Sequence, residues 1–421
     1  MKDECKTGKT KNNQKRRIAA NTLYTMGGMI LMNGILQLIV YPLLNKQVGE
    51  EELGGLLYIM GIVGIVCPSV GQALNTSRLV VRRDHTVSNG DYNLLILICG
   101  GITSIVSLIL CRGSMTGMGM TACVFVLLMV TTFRYYGDVE YRLNLNYRRY
   151  FIYYALISAG YLAGFGLFKL TGNWIVIFFL GEAAAFLFLL LTGSVYRNFL
   201  KRSSAFSVAA QRGIFLMISY FVTNTTLNID RIVLKHIMGN EAVTEFYVVS
   251  LVGKTMVLLV APINTIIISY LTKSKKLLTR NEFLKLTLAG GAVTAIFFGL
   301  CQIGTPLFVW LFYRNLYATV QPFMTIANLA QVLGLYSAYL FILVLTFTTE
   351  KWQMILQALH FGVLAVSSVL ATQHYGMMGF SLALLGSNLF RVAAVILFGT
   401  RKAGRPDYRG GGKTANTRIG D

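Results

Sequence analysis

Residues 227–239 read LNIDRIVLKHIMG, with Asp230 and Arg231 side by side in a run otherwise apolar enough to cross a bilayer. A charged side chain near a bilayer centre costs about 3 kcal/mol or more, so it marks either a functional path or a structural partner. Three more charges fall inside apolar runs: Glu182, Lys254 and Arg391. By rise alone, at about 1.5 Å per residue, Glu182 and Lys254 fall near mid-membrane and Arg391 toward the inner side. The chemistry open to this set is ionic. Arg231, Lys254 and Arg391 can hold an anion; Asp230 and Glu182 can pair with a cation or couple to one. Nothing in the chain meets the geometric pattern of an enzyme nucleophile with its base. The six cysteines form no CxxC pair, and His85, His236, His360 and His374 are scattered, so no metal centre, disulfide framework or cofactor site is expected.

Helical geometry sorts these residues. At about 100° per residue, Asn224, Asn228, Arg231 and Lys235 share one face of their helix within roughly 60°. Asp230 lies about 100° from Arg231 and shares its side with Thr223 and Thr226. Neighbours in sequence do not face each other on a helix, so the two charges do not form a simple pair. Arg231 is expected to face a cavity with the asparagines, and Asp230 to meet another helix. Lys235 reads as interfacial, its stem extended toward water. Further polar pairs at i, i+4 are Asn33 with Gln37 and Gln72 with Thr76. Glu182 has two readings: a partner for Lys254, or a charge that holds its own bundle together.

The elements that must carry these groups are membrane helices. The 421 residues are 55% hydrophobic and 13% charged, with a mean hydropathy of +0.59. Soluble domains carry about 25% charge. A span needs about 20 apolar residues, and about twelve such runs are found, from 18–44 to 376–399. The net charge of +21 does not read as a nucleic-acid footprint, because the basic residues cluster in short loops. With the N-terminus inside, thirty Lys and Arg fall in inner segments and five in outer ones. That split fixes an N-in, C-in topology. The first apolar run is too long for the core of a signal peptide.

The expected organisation is a basic N-terminus (1–17), a six-helix bundle (18–200), an inner linker (201–212), a second six-helix bundle (213–400) and a disordered tail (401–421). Residues 44–56 (LNKQVGEEELGGL) and 234–246 (LKHIMGNEAVTEF) match at an offset of 190, Leu44 with Leu234, Gly49 with Gly239 and Glu51 with Glu241. They read as a repeat of two parallel halves.

Three segments carry a resemblance. RIAANTLYTMGGMILMNGILQLIVYPLLNKQVGEEELGGLLYIMG resembles the opening of the polysaccharide-transport (O-antigen flippase-type) branch of the multidrug/oligosaccharidyl-lipid/polysaccharide flippase superfamily. LNIDRIVLKHIMGNEAVTEFYVVSLV is similar to that family's helix 7–8 region, and GTPLFVWLFYRNLYATVQPFMTIANL to its helix 9–10 junction. The resemblance implies an all-α polytopic membrane protein, two six-helix bundles around a central cavity, in a bacterial plasma membrane. It implies a lipid-linked oligosaccharide as cargo, with polysaccharide-assembly proteins as partners, and a cavity lined by helices 1, 2, 7 and 8. An anionic diphosphate and many hydroxyls would cost several kcal/mol per unsatisfied polar group in hydrocarbon. Arg231, Lys254 and Arg391 are the candidates for the diphosphate, and Asn224, Asn228, Asn33, Gln37 and Gln72 for the sugars.

The inner basic loops read as topology signals and contacts to anionic lipid. Arg78, Arg82 and Arg83 could also receive substrate at the inner mouth. The alternatives are a cation-coupled small-molecule exporter, which would want cavity carboxylates, and a membrane glycosyltransferase or polymerase. For the latter, the loop carrying Glu50, Glu51 and Glu52 is too short to fold over a sugar, and acids there favour a helix N-terminus.

Overall fold

The structure is a computed structural model that describes residues 20–115, 117–273, 278–345, 348 and 350–403. The basic segment 1–17, Lys275, Lys276 and the tail from 404 lie outside the described residues. Among the described residues the chain is helical, without a strand.

The first apolar stretch, Ala20–Val81, is broken at Gly49 (φ 83°) into α1 (20–48) and α2 (50–81). Next come α3 (Asn89–Ser114), with a π-helical turn at Ile96–Gly100, and α4 (Gly117–Gly137). The short α5 (Val139–Leu143), α6 (Tyr147–Thr171) and α7 (Ile175–Thr192) follow. The chain continues with α8 (Phe206–Ile237), α9 (Asn240–Lys273), α10 (Arg280–Phe312) and α11 (Tyr317–Leu345). A last stretch, Glu350–Lys402, is broken at Gly376 (φ 56°) into α12 (350–375) and α13 (377–402). Arg391 and Gln357 are hydrogen-bonded, although 34 residues of straight helix would separate them by about 51 Å. The break at Gly376 therefore folds α13 back along α12. Nine stretches among the described residues are long and apolar enough to cross a membrane, and the protein is a multi-pass membrane protein.

Local sequence explains the ends. Ser88 and Asp91 form a capping box at the start of α3, and Thr279 and Glu282 another at α10. Each satisfies helix-end N–H groups that have no partner within the helix. Gly49 and Gly239 both take the left-handed backbone (φ 83° and 100°), a region open to glycine at little cost. These are the two glycines matched by the repeat. The turns they make lie together: Thr244 Oγ1 donates to the Glu50 carbonyl at 2.7 Å, and Gly54 packs on the Asn240 main chain, where no Cβ fits.

The chain divides into two compact units, Met1–Thr244 and Glu245–Asp421. In the first, α8 runs along α2, α6 packs on α7, and α4 is held between α2 and α7. Its core is rich in buried tyrosine (Tyr92, Tyr136, Tyr141, Tyr153, Tyr154 and Tyr161). In the second, α11 packs against the α12–α13 hairpin and against α10. Phe283, Leu340, Leu343, Val344 and Val395 form one apolar cluster there.

Candidate functional site

The polar face of α8 lies along α2. From one end to the other, Tyr220 OH meets Thr76 Oγ1 at 3.1 Å, and Asn224 Nδ2 donates to Ser69 Oγ at 3.0 Å. Asn228 packs on Gly64 and donates to the Asn224 carbonyl at 3.0 Å. Arg231 Nη1 donates to the Leu57 carbonyl at 3.2 Å, its stem resting on Gly61. Lys235 bonds the Asn240 side chain. A Cβ at Gly61 would come within 2.8 Å of Arg231 Cδ, so α2 accepts the arginine because that position has no side chain. Close approach at small residues, with polar side chains bonded across, is how helices associate in lipid. Thus Asn224, Asn228 and Arg231 are brought together, on a helix–helix seam. Asp230, next in the chain to Arg231, is only 5% exposed, in a setting with Ile229, Val233 and Leu234 also buried.

The α1 and α2 candidates are placed differently. Asn33 Nδ2 donates to its own helix, at the Met29 carbonyl (2.8 Å). Gln37 Oε1 is buried without a hydrogen-bond partner. Gln72 is half-buried on α2, one turn before Thr76.

Glu182 forms a buried ion pair with Arg134, and Tyr161 OH donates to its other oxygen at 3.2 Å. Arg134 stacks over the Tyr135 ring at 4.0 Å. Of the readings open to Glu182, the geometry gives a charge binding α7 to α4 within its own unit. Hydropathy ends this span at about residue 133 and so leaves Arg134 among the thirty basic residues of the inner segments. The available signal was the apolar run of α4, which continues to Gly137 and so carries Arg134 inside it. One turn further on, Asp138 accepts from Tyr154 OH at 3.1 Å and from Asn75 Nδ2, whose Oδ1 accepts from Arg142 at 3.1 Å.

In the second unit, Lys254 lies over the Phe246 ring at 6.0 Å, and Phe246 meets Phe380 edge-on at 4.8 Å. Arg391 donates to Gln357 Oε1 at 3.2 Å and covers the Phe341 ring at 5.1 Å. Beside it is His360, which the sequence did not single out: it is 2% exposed, and its ring nitrogens make no hydrogen bond of ordinary geometry, with the Asn388 side chain as its polar neighbour. Asn388, one turn before Arg391, donates to the Ala330 carbonyl at 2.9 Å. Buried polar groups nearly always have partners, so His360 is an exception with a cost attached.

No family model and no curated protein matches the chain. Solved structures do. The chain superposes on an inward-facing multidrug resistance MATE family transporter of the MOP superfamily with a TM-score of 0.62, at 15% identity, over 90% of this chain and 94% of that one. An outward-facing structure described in the same words gives 0.57, at 14% identity, over 92% and 95%. A MATE in complex with MaL6 gives 0.64, at 14% identity, over 92% and 96%. The fold is MATE-like along nearly the whole chain. At these identities the likeness is one of fold.

Proposed function

We propose that the chain is a membrane transporter of alternating access whose cargo is an anionic amphiphile, a polyprenyl-diphosphate-linked oligosaccharide moved across a bacterial plasma membrane. The moving bodies are two six-helix halves, residues 18–200 and 213–400, twelve crossings in all. They carry a binding surface between inner and outer leaflets, with the lipid tail left in the bilayer. The MATE-like fold supports transport over catalysis.

One observation carries the choice of cargo. Along α8 the polar groups form a continuous row: Tyr220, Asn224 and Arg231 bond Thr76, Ser69 and the Leu57 carbonyl of α2, Asn228 packs on Gly64 and bonds the Asn224 carbonyl, and Lys235 bonds Asn240. The carboxylates of Glu182 and Asp138 are already engaged by Arg134, Asn75 and Tyr154. Parting the α2–α8 seam bares donors suited to a diphosphate and to sugar hydroxyls, because guanidinium and ammonium bind phosphate oxygens by charge-assisted hydrogen bonds. Lys254 and Arg391 supply further cations in the second unit.

The test is transport by Arg231→Ala and Lys254→Ala, measured as surface polysaccharide restored to cells lacking their own flippase, with membrane abundance measured alongside. Both variants are expected to be abundant and inactive. Full restoration by both sinks the cationic-surface reading. A second reading, a small-molecule exporter, is favoured by the names of the solved structures, which are multidrug transporters. Cationic-drug efflux that survives Arg231→Ala and Lys254→Ala would support it.

A further inference from the structure

A cavity of about 410 Å³ opens at the basic-loop end of the first unit, lined by Arg78, Arg82, His85, Glu140, Asn144 and Ser194 among others. The sequence around it explains its shape. Arg78 and Arg82 lie one turn apart at the end of α2 and so share a face. The chain then turns tightly, with the His85 N–H donating to the Val81 carbonyl at 3.0 Å, which brings His85 back over the helix end. On the opposite wall α5 presents Glu140 and leads to Asn144.

The charges in this cavity do not balance. Arg78 is 9% exposed, with its guanidinium between the Tyr92 and Tyr136 rings at 5.8 and 5.9 Å. Its two terminal nitrogens donate to neutral oxygens, Tyr136 OH and Asn89 Oδ1 (2.6 Å for the latter). Its Nε is buried without a hydrogen-bond partner. Among the described residues no carboxylate is paired with it within ion-pair distance. Glu140 is turned to other donors, Asn144 Nδ2 at 3.0 Å and Ser194 Oγ at 3.2 Å. A buried charge is costly unless paired and hydrogen-bonded. The lining therefore holds two arginines against one carboxylate that pairs with neither.

We propose that this cavity binds a phosphate group, supplied either by an anionic headgroup of the adjacent leaflet or by a free phosphate compound. Two guanidinium groups one turn apart suit the oxygens of a phosphate, which accept fork-like hydrogen bonds. The volume is that of a small-molecule site and far exceeds a halide. The position, at the membrane end that carries the basic loops, is where headgroup phosphates lie. The diphosphate of the proposed cargo carries the same group, so the inference touches that reading; phosphate binding here is measured without transport and stands or falls apart from it.

The test uses the full chain in two settings. In phospholipid-free detergent, sodium pyrophosphate is titrated calorimetrically; in nanodiscs of phosphatidylglycerol or phosphatidylcholine, the unfolding midpoint is compared. The variants are Arg82→Gln and, as control, Arg83→Gln. Arg83 is exposed and outside the cavity lining, so its loss removes the same surface charge but no contact. Arg82→Gln is expected to weaken pyrophosphate binding roughly 10–100-fold, the worth of one charge-assisted hydrogen bond, or to abolish a higher midpoint in phosphatidylglycerol. Arg83→Gln is expected to do neither. Pyrophosphate binding without a lipid preference assigns a phosphate compound other than a bilayer phospholipid, the diphosphate of the cargo included; an Arg82-dependent preference for phosphatidylglycerol assigns the phospholipid headgroup. The proposal is overturned if the wild-type chain responds to neither probe, or if both variants lose the response equally.

Discussion

At the scale of the residue, a charge in a membrane helix is explained by its partner, and Glu182 has one. Arg134 neutralises it and Tyr161 donates to it, all in a buried setting. Removing one member of such a pair strands the other, at a cost of about 3–5 kcal/mol, while replacing both by apolar residues is often neutral. Arg134→Met and Glu182→Leu are each expected to lower the unfolding midpoint sharply, and the double variant to recover most of the loss. A double variant as unstable as the sum of the singles would show that the two charges do not act as a pair. His360 poses the opposite case. Both ring nitrogens are buried without a hydrogen bond of ordinary geometry, Asn388 being their polar neighbour, and a group so poorly satisfied costs about 1–3 kcal/mol. His360→Leu is therefore expected to leave thermal stability unchanged or raised. A clear destabilisation would show that the ring nitrogens are engaged.

At the scale of the element, the α2–α8 seam makes a direct demand. Asn224 Nδ2 and Ser69 Oγ are 3.0 Å apart, so cysteines at the two positions lie close enough for a short bifunctional methanethiosulfonate to join them. If the seam must part during each cycle, Ser69→Cys with Asn224→Cys is expected to transport when unmodified, to stop when the two cysteines are joined by that reagent and to recover on reduction. Transport unaffected by complete cross-linking would place the moving surface elsewhere. The seam also marks the limit of what sequence carries. The common face of Asn224, Asn228 and Arg231 follows from a 3.6-residue period, which is local. What that face touches is decided by long-range packing and by glycines on α2 that leave no mark in hydropathy. Gly61 and Gly64 were the available sign, since small residues spaced along a membrane helix admit a neighbour. In the same way the breaks at Gly49 and Gly376 coincide with span ends that hydropathy had already separated. The Arg134–Glu182 pair joins helices nearly fifty residues apart, and no periodicity connects them.

At the scale of the whole molecule, the net charge of +21 predicts an orientation with the basic loops inside, and the charge of the cargo sets the sign of any voltage effect. A diphosphate that moves outward from a negative interior travels down the electrical gradient. Each uncompensated negative charge gains about 2.3 kcal/mol per 100 mV. At 1.36 kcal/mol per decade that is roughly a fiftyfold shift in the equilibrium distribution. A cation-coupled exporter would behave differently, drawing on an inward proton or sodium gradient through a carboxylate. The carboxylates of Glu182 and Asp138 are engaged within the first unit, so Asp230, buried on α8, is the carboxylate that such coupling would use. In proteoliposomes with a clamped potassium diffusion potential, outward movement of a polyprenyl-diphosphate sugar is expected to rise steeply as the interior is made negative. It is expected to change little when only a pH or sodium gradient is imposed at zero potential. Transport that ignores potential and follows the proton or sodium gradient would overturn the voltage-driven account and favour the exporter.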